Sequence, residues 1–338
     1  MTVASKNIGA KPMKKQILAW LLVIFLVANI SVTHGQQPTK IPRIGFQSAA
    51  SPAALSGRIE ALRQGLRELG YVEGKNITIE YRYAEGKLDR LREFADEFVR
   101  LKVDVIVTAA PSSTRAAKEA TARIPIVMAF DNDPVANGFV ASLARPDGNI
   151  TGLSTLAPEI SGKQLELLKE IVSKLSRVAV LSTSTLRSPA VLKEIELVAG
   201  AFKVQLQHLD VRGPEDIEVA FREARKGRAN AILVLTSPIL ESHRTQVVDL
   251  AAMNRLPASY PTTEYTEAGG LMYYGANTAD LFRRAATYVD KLLKGRTPAD
   301  LPVEQPMKFE FIINLKAAKQ IGLTVPPNVL VRADRVIR

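Results

Sequence analysis

Residues 103–129 read VDVIVTAAPSSTRAAKEATARIPIVMA, and this stretch decides the fold class. The apolar runs 103–108 and 124–129 have the length and the β-branched residues of buried strands. Between them, residues 113–122 are predicted to form a helix. Two buried strands joined through a helix run parallel, and helices cover both faces of such a sheet. The stretch therefore predicts an α/β protein.

The same alternation of strand and helix continues on both sides of this unit. Further strands are predicted at residues 41–46, 77–83, 177–181, 204–209, 231–235 and 270–274. Further helices are predicted at residues 53–69, 87–101, 159–173, 188–200, 214–226, 239–254 and 278–294. Two such runs of about 110 residues each are typical of two domains rather than one large sheet. We therefore predict two doubly wound parallel-sheet lobes.

Three segments are predicted to connect the lobes. Residues 149–152 are polar and glycine-flanked, residues 275–277 follow a strand, and residues 298–306 contain three prolines that exclude a helix. We expect three crossings, with lobe 1 formed by residues 41–150 and 276–300 and lobe 2 by residues 151–275 and 303–338. The expected hinge residues are Asn149, Thr151, Gly152, Gly275 and Asn277.

The N-terminal residues have the pattern of a secretory signal peptide. Lys14 and Lys15 precede an apolar run over residues 17–32, which ends at Thr33-His34-Gly35. A basic segment, a short apolar segment and small residues before a cleavage point define such a signal. We expect residues 1–35 to be removed and the folded protein to be periplasmic. A retained membrane anchor is the alternative.

Composition narrows the classes of function. The chain has 338 residues, no cysteine and a net charge of +11. The absence of cysteine excludes a disulfide framework. The basic residues at 222–228 have no aromatic residue among them, so nucleic-acid binding is not indicated. Three histidines without metal-ligand spacing, and no phosphate-binding or nucleophile-elbow motif, predict no metal, no cofactor and no catalytic site.

Candidate ligand-binding residues follow the predicted strands, because ligands bind at the carboxyl ends of strands in doubly wound sheets. Two polar residues follow the first strand, a small hydroxyl-rich loop follows the third, and acidic, hydroxyl and aromatic residues follow the others. The candidates are Gln47, Ser48, Ala110, Ser112, Ser113, Thr114, Asp131, Asp133, Ser182, Ser184, Thr236, Ser237, Glu264 and Tyr265.

Each candidate group also has a purely structural interpretation. The hydroxyls at 112–114 can bind a carboxylate or cap a helix. Asp131 and Asp133 can bind a ligand ammonium or close the turn at Pro134. The polar residues at 182–185 exceed what a turn requires, which favours ligand contact. Tyr265 can line the cleft or lie in the core.

Several motifs resemble a known family. They are LGYVEGKN at 69–76, DPV at 133–135, RPDGNITG at 145–152, AGGL at 268–271 and NLKAA at 314–318. Together they make residues 41–338 similar to the substrate-binding proteins of ABC importers, in the periplasmic family related to the tryptophan and aromatic amino-acid binding type, with a type I periplasmic-binding fold. One departure is that Thr236 precedes Ser237 and Pro238, where some relatives carry an aspartate.

The resemblance implies a monomeric, non-enzymatic binder that captures a small polar molecule between two lobes. Hinge closure would trap the solute, an amino acid or an organic acid, for delivery to an ABC permease in the inner membrane. The resemblance places the loop at 110–114, Asp133, the stretch 182–184, Thr236 and the region of Glu264 in the cleft. A periplasmic sensing module for a receptor kinase is the alternative, and a secreted α/β enzyme is a further one.

Overall fold

The computed structural model describes residues 1, 2, 4, 40–184 and 188–338. The chain divides into two compact units, Met1–Lys40 and Ile41–Arg338. Nearly all of the predicted signal peptide lies outside the described residues, as does Thr185. Among the residues described, no helix combines the length and the apolar character needed to cross a bilayer.

The first sheet has five parallel strands in the order β2-β1-β3-β4-β5. Its strands are Arg43–Ser48 (β1), Thr78–Tyr83 (β2), Val105–Ala109 (β3), Ile126–Asp131 (β4) and Ile150–Ser154 (β5). Its helices are Pro52–Glu68 (α1), Arg90–Leu101 (α2), Pro111–Ala120 (α3) and a late helix, Thr278–Leu293. We call this sheet with its helices the first lobe.

The second sheet has seven strands in the order β12-β11-β10-β9-β8-β6-β7. Its strands are Arg177–Ser182 (β6), Gln205–Asp210 (β7), Ala231–Val234 (β8), Ala258–Tyr260 (β9), Met272–Ala276 (β10), Phe309–Asn314 (β11) and Arg335–Ile337 (β12). The strand β11 runs antiparallel to β10, and the other pairs are parallel.

The helices of the second sheet complete the second lobe. They are Ala157–Ile171 (α4), Pro189–Ala201 (α5), Glu215–Lys226 (α6), Pro238–Ser242 (α7), Arg244–Met253 (α8), Thr263–Glu267 (α9), Leu315–Gln320 (α11) and Pro327–Leu330 (α12), and the late helix of the first lobe is α10. The single helix predicted at 239–254 is wrong, because the chain bends at His243 between α7 and α8. The ring Nδ1 of His243 lies 2.9 Å from the carbonyl oxygen of Ile239 at this bend.

Each lobe buries its own apolar core. In the first lobe, α1 and α10 pack on the sheet through Leu62, Phe282 and Phe46, all fully buried. In the second lobe, α4 and α5 cover one sheet face, and α6, α7 and α8 cover the other. Because strands buried on both faces carry apolar side chains on both, they appear in the sequence as continuous apolar runs.

The chain passes three times between the sheets, as predicted. It leaves the first lobe between β5 and α4, returns between β10 and α10, and leaves again before β11. The predicted division into residues 41–150 plus 276–300 and residues 151–275 plus 303–338 stays a prediction in its boundaries. In the first sheet, β5 extends to Ser154.

Candidate functional site

A cleft lies between the lobes at the carboxyl ends of β1, β3, β4 and β8, and it has a volume of about 790 Å³ with its open mouth included. Both lobes contribute to its walls. Its polar and charged lining residues are Ser48, Arg58, Asn132, Thr155, Ser161, Gln164, Thr236, Ser237, Glu241, Thr262 and Thr278. Its apolar lining includes Leu55, Phe130, Ile160, Leu235 and Tyr273. A cavity that combines apolar walls with many polar groups suits a small organic solute.

One amide in this lining is held in a fixed orientation. Gln164 of α4 is 2% exposed, and its Nε2 donates to the carbonyl oxygens of Tyr260 at 3.1 Å and Tyr274 at 2.8 Å. Both amide protons are therefore used, and the Oε1 atom remains as a hydrogen-bond acceptor. The cleft thus holds an acceptor whose position does not depend on the ligand.

A buried ion cluster joins the two lobes at the wall of the cleft. Arg58 of α1 is 2% exposed. Its Nη2 lies 2.7 Å from Oε1 of Glu241 in α7, and its Nε lies 2.6 Å from Oε1 of Glu264 in α9. We call these three residues the interlobe ion cluster. Next to it, the backbone N–H of Ser51 donates to Oγ of Ser242 at 3.2 Å.

The two carboxylates of the interlobe ion cluster differ electrostatically. Burial opposes the ionisation of Glu264, but the charge and the hydrogen bond of Arg58 outweigh it and lower the pKa of Glu264 to about 2. For Glu241, burial outweighs the attraction of Arg58, and the nearby Glu264 adds to it, so the pKa is raised. Glu264 is therefore the ionised partner that balances the charge of Arg58.

The sequence as a whole matches one protein family. Residues 44–337 match the sequence profile of the family described as ABC transporter substrate binding protein. This chain belongs to that family. The resemblance drawn from the sequence motifs and the predicted fold class are both confirmed, because relatives with solved structures share the two-lobed α/β architecture.

Individual relatives of this substrate-binding protein span nearly its whole length. A tyrosine-binding protein of Clostridioides difficile (strain R20291) is 25% identical over 326 residues, which cover 94% of each chain. A conserved domain protein of Vibrio cholerae has a crystal structure that is 28% identical with a TM-score of 0.82, covering 88% of this chain and 100% of that one.

A third relative was crystallised with a ligand. The ABC domain from Streptococcus pneumonia in complex with L-Trp is 26% identical with a TM-score of 0.81, and it covers 88% of this chain and 99% of that one. The first of these relatives is named for tyrosine binding and the third was solved with L-Trp, and substrate-binding proteins are periplasmic or extracytoplasmic.

In this substrate-binding protein, four of the residues predicted from the sequence line the cleft. They are Ser48, Ala110, Thr236 and Ser237. Ser182 lines a smaller adjoining pocket of about 340 Å³ that shares Asn132, Ser161 and Thr236 with the cleft. Ser237 also caps α7, since its Oγ accepts from the N–H of Leu240 at 3.4 Å. Ligand contact stays a prediction for all of them.

The predicted loop at 110–114 is largely buried behind the cleft wall. Ala110 has a φ of 76°, which is rare for any residue with a Cβ atom and costs about 1–3 kcal/mol. The hydroxyl oxygens of Thr114 and Thr108 lie 2.8 Å apart, and the amide of Gln47 donates to the carbonyl of Ser113. The hydroxyls of Ser112 and Ser113 have no hydrogen-bond partner within the described part of the chain.

The predicted acidic pair lies beside the cleft at the end of β4. Asp131 is fully buried, and its Oδ1 accepts from Nδ2 of Asn137 at 2.8 Å and from the N–H of Asp133 at 3.0 Å. Asp133 in turn accepts from the N–H of Ala136 at 3.0 Å. These bonds close the turn at Pro134, which is the structural role described above for the two aspartates. Neither residue lines the cleft, whose wall here is formed by Asn132.

The burial of Asp131 predicts that the stability of the folded protein depends on pH. Burial raises its pKa from 3.8 to about 7, so the folded protein keeps a proton that the unfolded chain has lost. Protonated Asp131 therefore contributes its full stabilisation of the folded protein below about pH 4. This stabilisation is lost as the pH rises to about 7. We expect Asp131→Asn to flatten the dependence of the unfolding free energy on pH in this range, as measured by urea unfolding. A slope equal to that of the wild type would contradict this titration.

The other predicted residues have structural partners. The Oγ of Ser184 donates to Oδ2 of Asp210 at 2.8 Å. Tyr265 is fully buried in the core of the second lobe, and its ring stacks on Tyr260 with 4.9 Å between the centroids. Glu264 belongs to the interlobe ion cluster. Among the described residues, no group of three or more His, Asp or Glu side chains is placed to hold a metal ion.

The predicted hinge residues lie at or near the crossings. The amide of Asn149 donates to the carbonyl oxygens of Thr121 and Ile124 just before β5. Thr151 lies inside β5, and its hydroxyl donates to the carbonyl of Leu301 at 2.6 Å. The remaining three are Gly152 in β5, Gly275 in β10 and Asn277 at the N-terminus of α10. Their role in a hinge stays a prediction.

The sequence analysis did not identify three important residues of the cleft: Arg58, Glu241 and Gln164. Arg58 carried a signal, because it lies between Leu55 and Leu62 at helical spacing on the apolar face of α1. A charged residue on a buried face needs a partner. The sequence does not indicate that this partner comes from α7, more than 180 positions later along the chain.

Proposed function

We propose that this protein captures a small solute of the amino-acid class between its lobes and presents it to an ABC permease. The observation that carries the proposal is the cleft lined by both lobes, since a ligand that contacts both lobes favours their closure. The tyrosine-binding protein and the L-Trp complex support an amino acid over an organic acid. We propose that the protein acts as a periplasmic monomer without enzymatic activity.

The expected result is stabilisation by the solute. At a concentration one hundred times its dissociation constant, a ligand that binds only the folded protein adds about 2.7 kcal/mol to the free energy of unfolding. We expect at least one amino acid to do so in a screen that includes organic acids, sugars and nucleosides, with urea unfolding as the measurement. If no compound stabilises the protein, the proposed function is wrong.

A measurement of solute uptake distinguishes a role in import from a role in sensing. We expect deletion of the gene to abolish uptake of the stabilising solute, labelled with an isotope, and the intact gene to restore it. Normal uptake in the deletion strain would instead favour a sensing role for the same cleft.

A further inference from the structure

The interlobe ion cluster contains one more carboxylate than guanidinium group. Arg58 provides one cation, whereas Glu241 and Glu264 provide two carboxylates within 2.7 Å of it. Arg244 directs a guanidinium N–H at the backbone carbonyl of Glu241, at 3.4 Å. Glu264 is the ionised partner of Arg58, and burial raises the pKa of Glu241, so Glu241 has no full counterion of its own and has a place for a cation from a ligand.

Of the two carboxylates, only Glu241 lies in the wall of the cleft. Glu241 is 5% exposed, and Arg58 occupies its Oε1 atom. Its Oε2 atom has a long contact of 3.4 Å from the hydroxyl of Thr262, which shares its proton with Oε1 at 3.3 Å. Since a carboxylate oxygen can accept more than one hydrogen bond, Oε2 has capacity for a donor from the solute.

Two further polar groups in the same cleft are not fully used. Thr278 at the start of α10 is 5% exposed, and its Oγ1 has no hydrogen-bond partner within the described residues. The Oε1 of Gln164 is held as an acceptor by the two bonds that its Nε2 donates. A buried polar atom without a partner in an open cleft indicates a group that a ligand satisfies.

We propose that Glu241 is a specificity-determining residue that binds a cationic amino group of the solute. Within the class given under the proposed function, on which this inference rests, the amino group donates to Oε2 of Glu241 and serves as the counterion of the ionised Glu241 carboxylate. The Oε1 of Gln164 provides a second acceptor on the same lobe. A compound that lacks the amino group leaves Oε2 of Glu241 without this donor and binds more weakly.

The test compares amines with their des-amino counterparts. Isothermal titration calorimetry is carried out with the standard L-amino acids, the des-amino acid of each, simple diamines, and neutral sugars and nucleosides. A hydrogen bond to a charged group contributes enough that its loss is expected to weaken binding at least about tenfold. We expect the tightest ligand to carry an ammonium group and its des-amino counterpart to bind at least about tenfold more weakly.

Two matched variants separate ligand recognition from the ion cluster. Glu241→Gln keeps the volume and an acceptor for Arg58, and we expect it to bring an amine and its des-amino counterpart to within about threefold of each other. Glu264→Gln also removes one carboxylate but leaves Oε2 of Glu241 in the cleft wall, and we expect it to reduce the preference for amines less than Glu241→Gln does. Melting temperatures establish that both variants are folded. The preference for amines is measured on the wild type itself, so that measurement does not depend on the folding of either variant.

The outcomes are distinct. The inference is wrong if the tightest ligand of the wild type has no cationic group, if Glu241→Gln retains the preference, or if Glu264→Gln removes it equally. Each of these results leaves the proposed capture of a solute intact. If the wild type binds no compound of the panel, the proposed function itself is wrong, and the inference falls with it.

Discussion

Arg58→Met is expected to open the cleft and to raise the dissociation constant of the solute by about 100-fold or more. The variant leaves Glu241 and Glu264 facing the interlobe contact without a cation. Removing one partner of a buried ion pair costs about 3–5 kcal/mol, because the remaining charge is uncompensated. Separation of the lobes hydrates both carboxylates, so the cost is expected to appear as opening rather than as unfolding.

Small-angle X-ray scattering of the ligand-free protein measures this opening without a known ligand. We expect a larger radius of gyration for Arg58→Met than for the wild type, and calorimetry with the stabilising solute measures the loss of affinity. Arg67→Met is the matched control. Arg67 lies on the same helix and pairs with Glu60 at 2.7 Å, but both side chains are more than half exposed.

Exposed ion pairs contribute about 0–1 kcal/mol, so the Arg67 variant is expected to keep the shape and affinity of the wild type. Equal behaviour of the two variants in scattering and calorimetry would show that the interlobe ion cluster does not hold the lobes together.

Gly152→Ala is expected to lower the free energy of unfolding by about 2–5 kcal/mol. Gly152 lies in β5 with a φ of 135°, a conformation that strains any residue with a side chain. A Cβ atom would also lie 2.2 Å from the carbonyl oxygen of Met128 in the neighbouring strand β4. The strand cannot move away freely, because β4 is buried along its whole length.

The control for this variant is Gly57→Ala in the middle of α1. Gly57 is exposed and a Cβ atom there would meet nothing within 4 Å, so we expect a gain of about 0.5–1 kcal/mol from the better helix propensity of alanine. Urea unfolding of both variants measures the difference. A Gly152→Ala protein as stable as the wild type would mean that β5 relaxes without cost.

Much of the fold is predictable from local sequence patterns. The strands β1, β3 and β4 of the first lobe are buried on both faces, so their apolar runs are distinct, and the unit at residues 103–129 is present as β3, α3 and β4. The strands β5, β9, β11 and β12 were not predicted, and β5 was expected only as part of a crossing. The strand β11 begins with an exposed phenylalanine and a glutamate, and β12 has three half-exposed or exposed residues. Neither β11 nor β12 is a continuous apolar run like those of the buried central strands.

The sequence predicts where the candidate site lies, but it does not predict all of the residues that form it. The rule that ligands bind beyond strand ends correctly directs attention to Ser48, Ala110 and Thr236, which line the cleft. Asp131 is the last residue of β4 and Tyr265 lies in α9 after β9, but both side chains are fully buried outside the lining of the cleft. The interlobe ion cluster forms only when two lobes meet, so no local pattern indicates it.

The third crossing restricts the direction in which the lobes can swing. Its N-terminal part is bonded to β5, where the N–H of Ser154 donates to the carbonyl of Glu304 at 2.9 Å and the N–H of Glu304 donates to that of Gly152 at 3.0 Å. Its C-terminal part enters the ladder of β10 at Phe309. Only residues 305–308 remain between these anchors. We therefore expect the two lobes to open and close by rotation about a single axis, with little twist of one lobe relative to the other.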